Sequence, residues 1–178
     1  MRSRYQFEDG KGLYFITSTI VEFIPVFTSD TYFNIVTDSL SYCRNKKEVE
    51  IIAYVIMDNH FHLLIYSDQL SNKIKSIKRY TAREIIKQAK QDGKEWLLNQ
   101  FSFYKKSYKR KSKYQVWQEG VHPKLIQNME MARQKMDYIH YNPVRKGLVK
   151  KPEAWVYSSA SNYVTGEGII EIDKIEEF

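Results

Sequence analysis

An α+β fold, with helices packed on an antiparallel sheet, is what this sequence predicts, and three observations carry it. Aromatic and β-branched runs over residues 13–20, 49–57 and 60–67 read as strands. Apolar residues recur at helical spacing from Tyr32 to Cys43 and from Ile74 to Ala89. The pair Asp58-Asn59 is a turn signal between two apolar runs, which joins the second and third strands as a hairpin.

Taken in order, Leu13-Tyr14-Phe15-Ile16-Thr17-Ser18-Thr19-Ile20 gives the first strand. Ser29-Asp30 then caps a helix whose apolar positions are Tyr32, Phe33, Ile35, Val36, Leu40 and Cys43, ending at the basic run Arg44-Asn45-Lys46-Lys47. The hairpin follows. Ser71 or Asn72 is expected to cap a long helix that ends near Gly93, with Ile74, Ile77, Thr81, Ile85 and Ala89 as its buried stripe. After a polar, basic stretch, Tyr114-Gln115-Val116-Trp117-Gln118 reads as the fourth strand. Asn128 caps a last helix through Met129, Ala132, Met136 and Ile139, which Pro143 is expected to stop at or just before Asn142. Strand–helix–strand–strand–helix–strand is the order of a ferredoxin-like (RRM-like) sandwich, here with an added C-terminal helix.

The 178 residues suit a single domain, 1–178, with a core over about residues 10–165 and an acidic tail over 167–178. The longest apolar run, residues 51–57, is far short of the roughly 20 residues a membrane span needs. No apolar stretch follows the basic start Met1-Arg2-Ser3-Arg4-Tyr5, as a signal peptide would require. Cys43 is the only cysteine, so no internal disulfide can form. A cytoplasmic protein with no membrane partner is expected. The net charge of +7 suits a polyanionic partner. Glu167, Glu171, Asp173, Glu176 and Glu177 against Lys174 give the tail −4, leaving +11 on the rest. Autoinhibition of a basic face by this tail is one expectation.

Two constellations can carry chemistry. In His60-Phe61-His62 the imidazoles share one strand face while Phe61 points to the other, so the pair can grip one metal ion or stand as structural histidines. Paired imidazoles alone favour zinc, copper or nickel. Tyr138 and Asn142, four apart on a helix, share a face. A tyrosine nucleophile needs help from a metal or a base, and an amide oxygen suits Mg²⁺ or Mn²⁺. The alternative is an aromatic core residue and a helix-terminating asparagine.

The segment Tyr54-Val55-Ile56-Met57-Asp58-Asn59-His60-Phe61-His62-Leu63-Leu64 resembles the HUH signature strand pair of single-tyrosine transposases. Asp137-Tyr138-Ile139-His140-Tyr141-Asn142-Pro143-Val144-Arg145-Lys146-Gly147-Leu148-Val149 resembles the C-terminal signature of their REP-associated branch, where Trp117-Gln118 and Trp155-Val156-Tyr157-Ser158-Ser159 also find counterparts. The resemblance spans about residues 14–163. It implies that His60 and His62 are metal ligands, Asn142 a third, the ion Mg²⁺ or Mn²⁺, and Tyr138 the nucleophile. The implied reaction is cleavage and rejoining of single-stranded or hairpin DNA through a 5′-phosphotyrosine link, by a monomer or homodimer that is nucleoid-associated when DNA-bound. Asp58 stands where many members have proline, and Tyr141 is a second tyrosine one turn on that lacks the four-residue relation to Asn142.

Two basic surfaces are candidates for DNA contact. Lys78, Arg79 and Arg83 lie on the long helix, and Lys105, Lys109 and Arg110 sit in a segment where cations interleave with tyrosines, a composition that can pair with phosphates and stack on bases. Arg145 follows the tyrosine helix as a further candidate. A non-catalytic nucleic-acid-binding module is the competing reading, since sandwich, charge and tyrosines would serve binding alone.

Overall fold

The computed structural model describes residues 10–46 and 49–175. The basic start, Lys47, Glu176 and Glu177 lie outside these residues. Strands β1 (Gly12–Thr19), β2 (Glu50–Ile56), β3 (His60–Ser67) and β4 (Lys124–Leu125) form one antiparallel sheet in the order β2-β3-β1-β4. Helices α1 (Asp30–Asn45), α2 (Leu70–Gln91) and α3 (Glu95–Phe103) come before β4; α4 (Met129–Arg145) and the short α5 (Ala160–Val164) follow it.

Strand alternation divides the sheet between two cores. Ile16, Phe61, Leu63 and Ile65 face Leu40, Ile77 and Phe101 of α1, α2 and α3. Leu13, Val55 and Leu64 face Ala132 and Ile139 of α4. The predicted stripe of α2 is buried throughout. Phe61 therefore enters the first core, and His60 and His62 stand on the α4 side.

Four expectations are corrected. The fourth strand is Lys124–Leu125, not residues 114–118, of which Trp117 makes only an isolated bridge to Ile20. An unbroken ladder from that bridge would set His122 opposite Phe15. Lys124 stands there instead, because Gly120 at φ 77 and Pro123, which has no N–H, loop the chain out by two residues. Scattered bonds rather than a ladder hold residues 114–118: Val21 N–H donates to the Val116 carbonyl, Gln115 N–H to that of Phe101, and Trp117 Nε1 to Thr81 Oγ1 on α2 at 3.0 Å.

Pro143 does not stop α4, which runs to Arg145. So near the C-terminus the proline forfeits only one ladder bond, and the helix closes two residues later. Leu148 N–H donates to the Pro143 carbonyl and Gly147 N–H to that of Val144, a Schellman closure with Gly147 at φ 74. Gln69 in the left-handed region, not Ser71 or Asn72, starts α2, drawing Leu70 fully into the core. Helix α3, with Leu97, Leu98 and Phe101 inward, occupies part of the stretch expected to be polar.

The described part of the acidic tail, residues 167–175, packs against α1 and β2. Ile170 is buried, Asp173 takes a bidentate bond from Arg44 of α1, and Asp173 N–H donates to the Ile51 carbonyl at the free edge of β2. Tyr157 and Ser159 pair with the same edge at Ile56 and Tyr54, closing it to outside strands. Ile170→Ala is thus expected to cost about 2–4 kcal/mol in urea denaturation. Deleting residues 167–178 should lower stability without tightening DNA binding.

Candidate active site

Strand register builds the site. In β1 and β3, Thr17 lies opposite His62 and Thr19 opposite His60, all on the face that α4 covers. Helix spacing then stacks Tyr138 and Asn142 over them. A pocket of about 400 Å³ is lined by Thr17, Thr19, Phe23, Asn59, His60, His62, Tyr138, Asn142, Arg145 and Lys146. The four chemistry-bearing residues expected from sequence thus meet in one cavity. Tyr141, half-exposed on the same helix, is absent from its lining.

Each imidazole is held through Nδ1. Asn59 Nδ2 donates to the Phe23 carbonyl at 3.0 Å, which leaves Asn59 Oδ1 to accept from His60 Nδ1 at 2.6 Å. His60 Nε2 is then the bare nitrogen. His62 Nδ1 bonds Thr17 Oγ1 at 2.7 Å, and His62 Nε2 is buried with no hydrogen-bond partner. Such an orphan costs about 1–3 kcal/mol unless something binds it. Burial, with cationic Lys146 adding to it, lowers the His60 pKa; burial chiefly pushes that of His62 down to about 3. Both rings are therefore neutral at pH 7, the form that ligates a metal. Asn142, 7% exposed, supplies an amide to the same pocket. Two imidazoles with fixed Nδ1 partners and one amide fit a divalent ion whose remaining positions are left for water and phosphate. No cluster of three His, Cys, Asp or Glu capable of holding a metal occurs among the described residues, so no all-protein cage competes with this partial set.

Tyr138 is 39% exposed, and its ring lies 5.2 Å from that of His62, edge-on, and 5.9 Å from Phe15, which stacks on His62 at 5.5 Å. Lys135 Nζ stands 5.6 Å from the Tyr138 ring centroid and the Arg145 guanidinium 5.2 Å from it. Tyr138 thus stands among neutral imidazoles and two cations, a setting complementary to an anionic group. Lys135, Lys146, Thr17 and Phe15 escaped the sequence reading. Lys135 and Lys146 carried a signal, three residues before Tyr138 and four after Asn142; Thr17 and Phe15 needed the strand register.

Lys78, Arg79 and Arg83 of the first expected basic surface line a cleft of about 890 Å³ between α2 and residues 109–120; of the second only Lys109 lines it, and Lys105 and Arg110 do not. These cations differ in freedom. Lys78 donates to the carbonyls of Gln118 and Gly120, and burial pushes its pKa down to about 8. Lys109 pairs with Glu119, and Lys105 bonds the Lys109 carbonyl. Arg79, Arg83 and Arg110 have exposed side chains. Gln118, which lines the cleft, donates its N–H to the carbonyl of Thr19, which lines the histidine pocket.

His140 faces away from the pocket. It is buried, with Nε2 2.8 Å from Ser159 Oγ, which also accepts from Tyr54 N–H, so it ties α4 to β2. Burial pushes its pKa down to about 4. Between that value and the ordinary value near 6.5, the unfolded chain binds a proton that the folded chain refuses, so stability is full above about pH 6.5 and falls with pH. From pH 7.5 to pH 5 urea denaturation should show a loss of about 2 kcal/mol from His140, with His62 adding to the trend. His140→Gln should flatten the slope; an unchanged slope would refute the assignment.

The sequence profile of the family described as "Transposase IS200 like" matches residues 24–140, taking in both histidines and Tyr138. A protein of Haemophilus influenzae (strain ATCC 51907 / DSM 11121 / KW20 / Rd) described as "Putative REP-associated tyrosine transposase" is 26% identical over 160 residues, covering 88% of this chain and 84% of that protein. The solved structure of a REP-associated tyrosine transposase bound to a REP hairpin superposes with a TM-score of 0.66 at 19% identity, covering 100% of this chain and 95% of the other.

Proposed function

Because the chain belongs to the IS200-like transposase family, we propose that it is a metal-dependent endonuclease and strand transferase for single-stranded DNA, with Tyr138 as nucleophile. The observation that carries this reading is the Tyr138 ring 5.2 Å from His62, in the pocket that also holds His60 and Asn142. The Tyr138 oxygen attacks a backbone phosphorus; the bond to the departing 3′-oxygen breaks, giving a 5′-phosphotyrosine and a free 3′-hydroxyl. A 3′-hydroxyl later attacks that phosphorus, releases the tyrosine and rejoins the strand, so no external energy source is needed. His60, His62 and Asn142 would hold Mg²⁺ or Mn²⁺, whose chemistry there is Lewis-acid withdrawal of charge from the phosphate. Lys135 and Arg145, beside the ring, oppose the negative charge gathered by nucleophile and phosphate. Thr17 and Asn59 fix the imidazoles.

Hairpin or repeat DNA is the proposed substrate, supported by likeness to the REP-associated proteins. Arg79 and Arg83 serve as phosphate contacts in the α2 cleft, with Arg110 as an exposed cation outside its lining, while Lys78 on α2 and Lys109 on the facing segment are held by bonds within the protein. The sheet order is that of a ferredoxin-like sandwich, and it puts both histidines on the central strand pair.

A gel assay of a single-stranded hairpin with Mn²⁺ tests the proposal. Cleavage should vanish on chelation while binding persists. Binding with no cleavage under any divalent ion would instead establish a non-catalytic module.

A further inference from the structure

Glu22 and Phe23, at φ 50 and φ 55, stand consecutively in the left-handed backbone region that residues with a Cβ disfavour. No glycine relieves the turn. Val21 before it and Ile24 after it are buried, so the chain is anchored on both sides. The strained turn sends Phe23 outward, 63% exposed, onto the wall of the pocket that contains His60 and Tyr138. Asn59 fixes it there, with Nδ2 on the Phe23 carbonyl and Oδ1 on His60. A bare phenyl ring held by a disfavoured backbone is not explained by packing, and strain of this kind marks functional positions.

We propose that Phe23 is the stacking platform for an unpaired base next to the phosphate that Tyr138 attacks, which rests on the reading of this pocket as a single-stranded DNA site. A nucleotide presents an anionic phosphate and a flat aromatic base. The pocket offers both complements: cations at Arg145 and Lys146, and an exposed ring at Phe23. Because every base has a π-face, the contact positions the strand without selecting sequence. The Asn59 bridge sets that ring in fixed relation to His60, so stacking would also place the phosphate.

The test uses the full chain in metal-free buffer, where no cleavage complicates binding, and single strands carrying 2-aminopurine at successive positions. Wild type should quench the fluorescence at one position. Phe23→Tyr and Phe23→Trp should keep that quench; Phe23→Leu and Phe23→Ala should lose it and bind on the order of 5- to 150-fold more weakly. The exposed ring makes misfolding no obstacle, and circular dichroism checks it. Unchanged quenching and affinity in Phe23→Leu would overturn the proposal. The readout does not depend on cutting: a protein that stacks a base yet never cleaves would refute only the nuclease reading, and one that cleaves normally without stacking would refute only this inference.

Discussion

Tyr138→Phe should abolish strand cleavage, by on the order of 10³-fold or more, while leaving hairpin affinity within a few-fold of wild type. The substitution removes one oxygen from a residue that is 39% exposed, whose contacts to His62 and Phe15 are ring-to-ring and need no hydroxyl. Fold and pocket should survive intact. Tyr141→Phe is the internal control. That residue lies one turn on but outside the pocket lining, so its variant should cut at nearly the wild-type rate. A reversed pattern would move the nucleophile to Tyr141.

His62→Leu should separate function from stability. The imidazole is buried with Nε2 unpartnered, so an apolar side chain of similar size removes an orphaned polar atom from the metal-free protein. Stability without metal should hold within about 1 kcal/mol, the gain at Nε2 offsetting the lost Nδ1 bond to Thr17. Mn²⁺-dependent cleavage should fall on the order of 10²-fold or more, because loss of a ligand exceeds loss of its supporting partner. Thr17→Val removes only that partner and should weaken Mn²⁺ affinity roughly 10- to 100-fold. A His62→Leu protein that unfolds readily yet binds Mn²⁺ as wild type would mark His62 as a structural histidine.

What could be read from sequence follows from which patterns are local. The hairpin bearing His60 and His62 was legible because period-two alternation and the Asp58-Asn59 turn lie within a few residues of each other. The α2 stripe was legible for the same reason. Helix α3 was not, because Trp96 and Phe103 leave apolar side chains exposed on its outer face and blur the helical period. Residues 114–118 had the composition of a strand, but their aromatic bulk serves packing, with Val116 and Trp117 buried beside α2, and the true β4 is a pair of exposed residues, Lys124 and Leu125. Thr17 reaches His62 across 45 residues of sequence through cross-strand register, which no local pattern encodes. Pro143 does not end α4 because it lies in the last turn, where a proline costs far less than in a helix interior.

The most direct measurement is mass spectrometry of the protein after incubation with a single-stranded hairpin and Mn²⁺, denaturation and digestion of both polymers. A nucleotide 5′-linked to the peptide that contains Tyr138 is expected, with fragmentation placing the added mass on that tyrosine. DNA cut to the same extent with no adduct would mean that water is the nucleophile, and an adduct on Tyr141 would contradict the geometry proposed for the site.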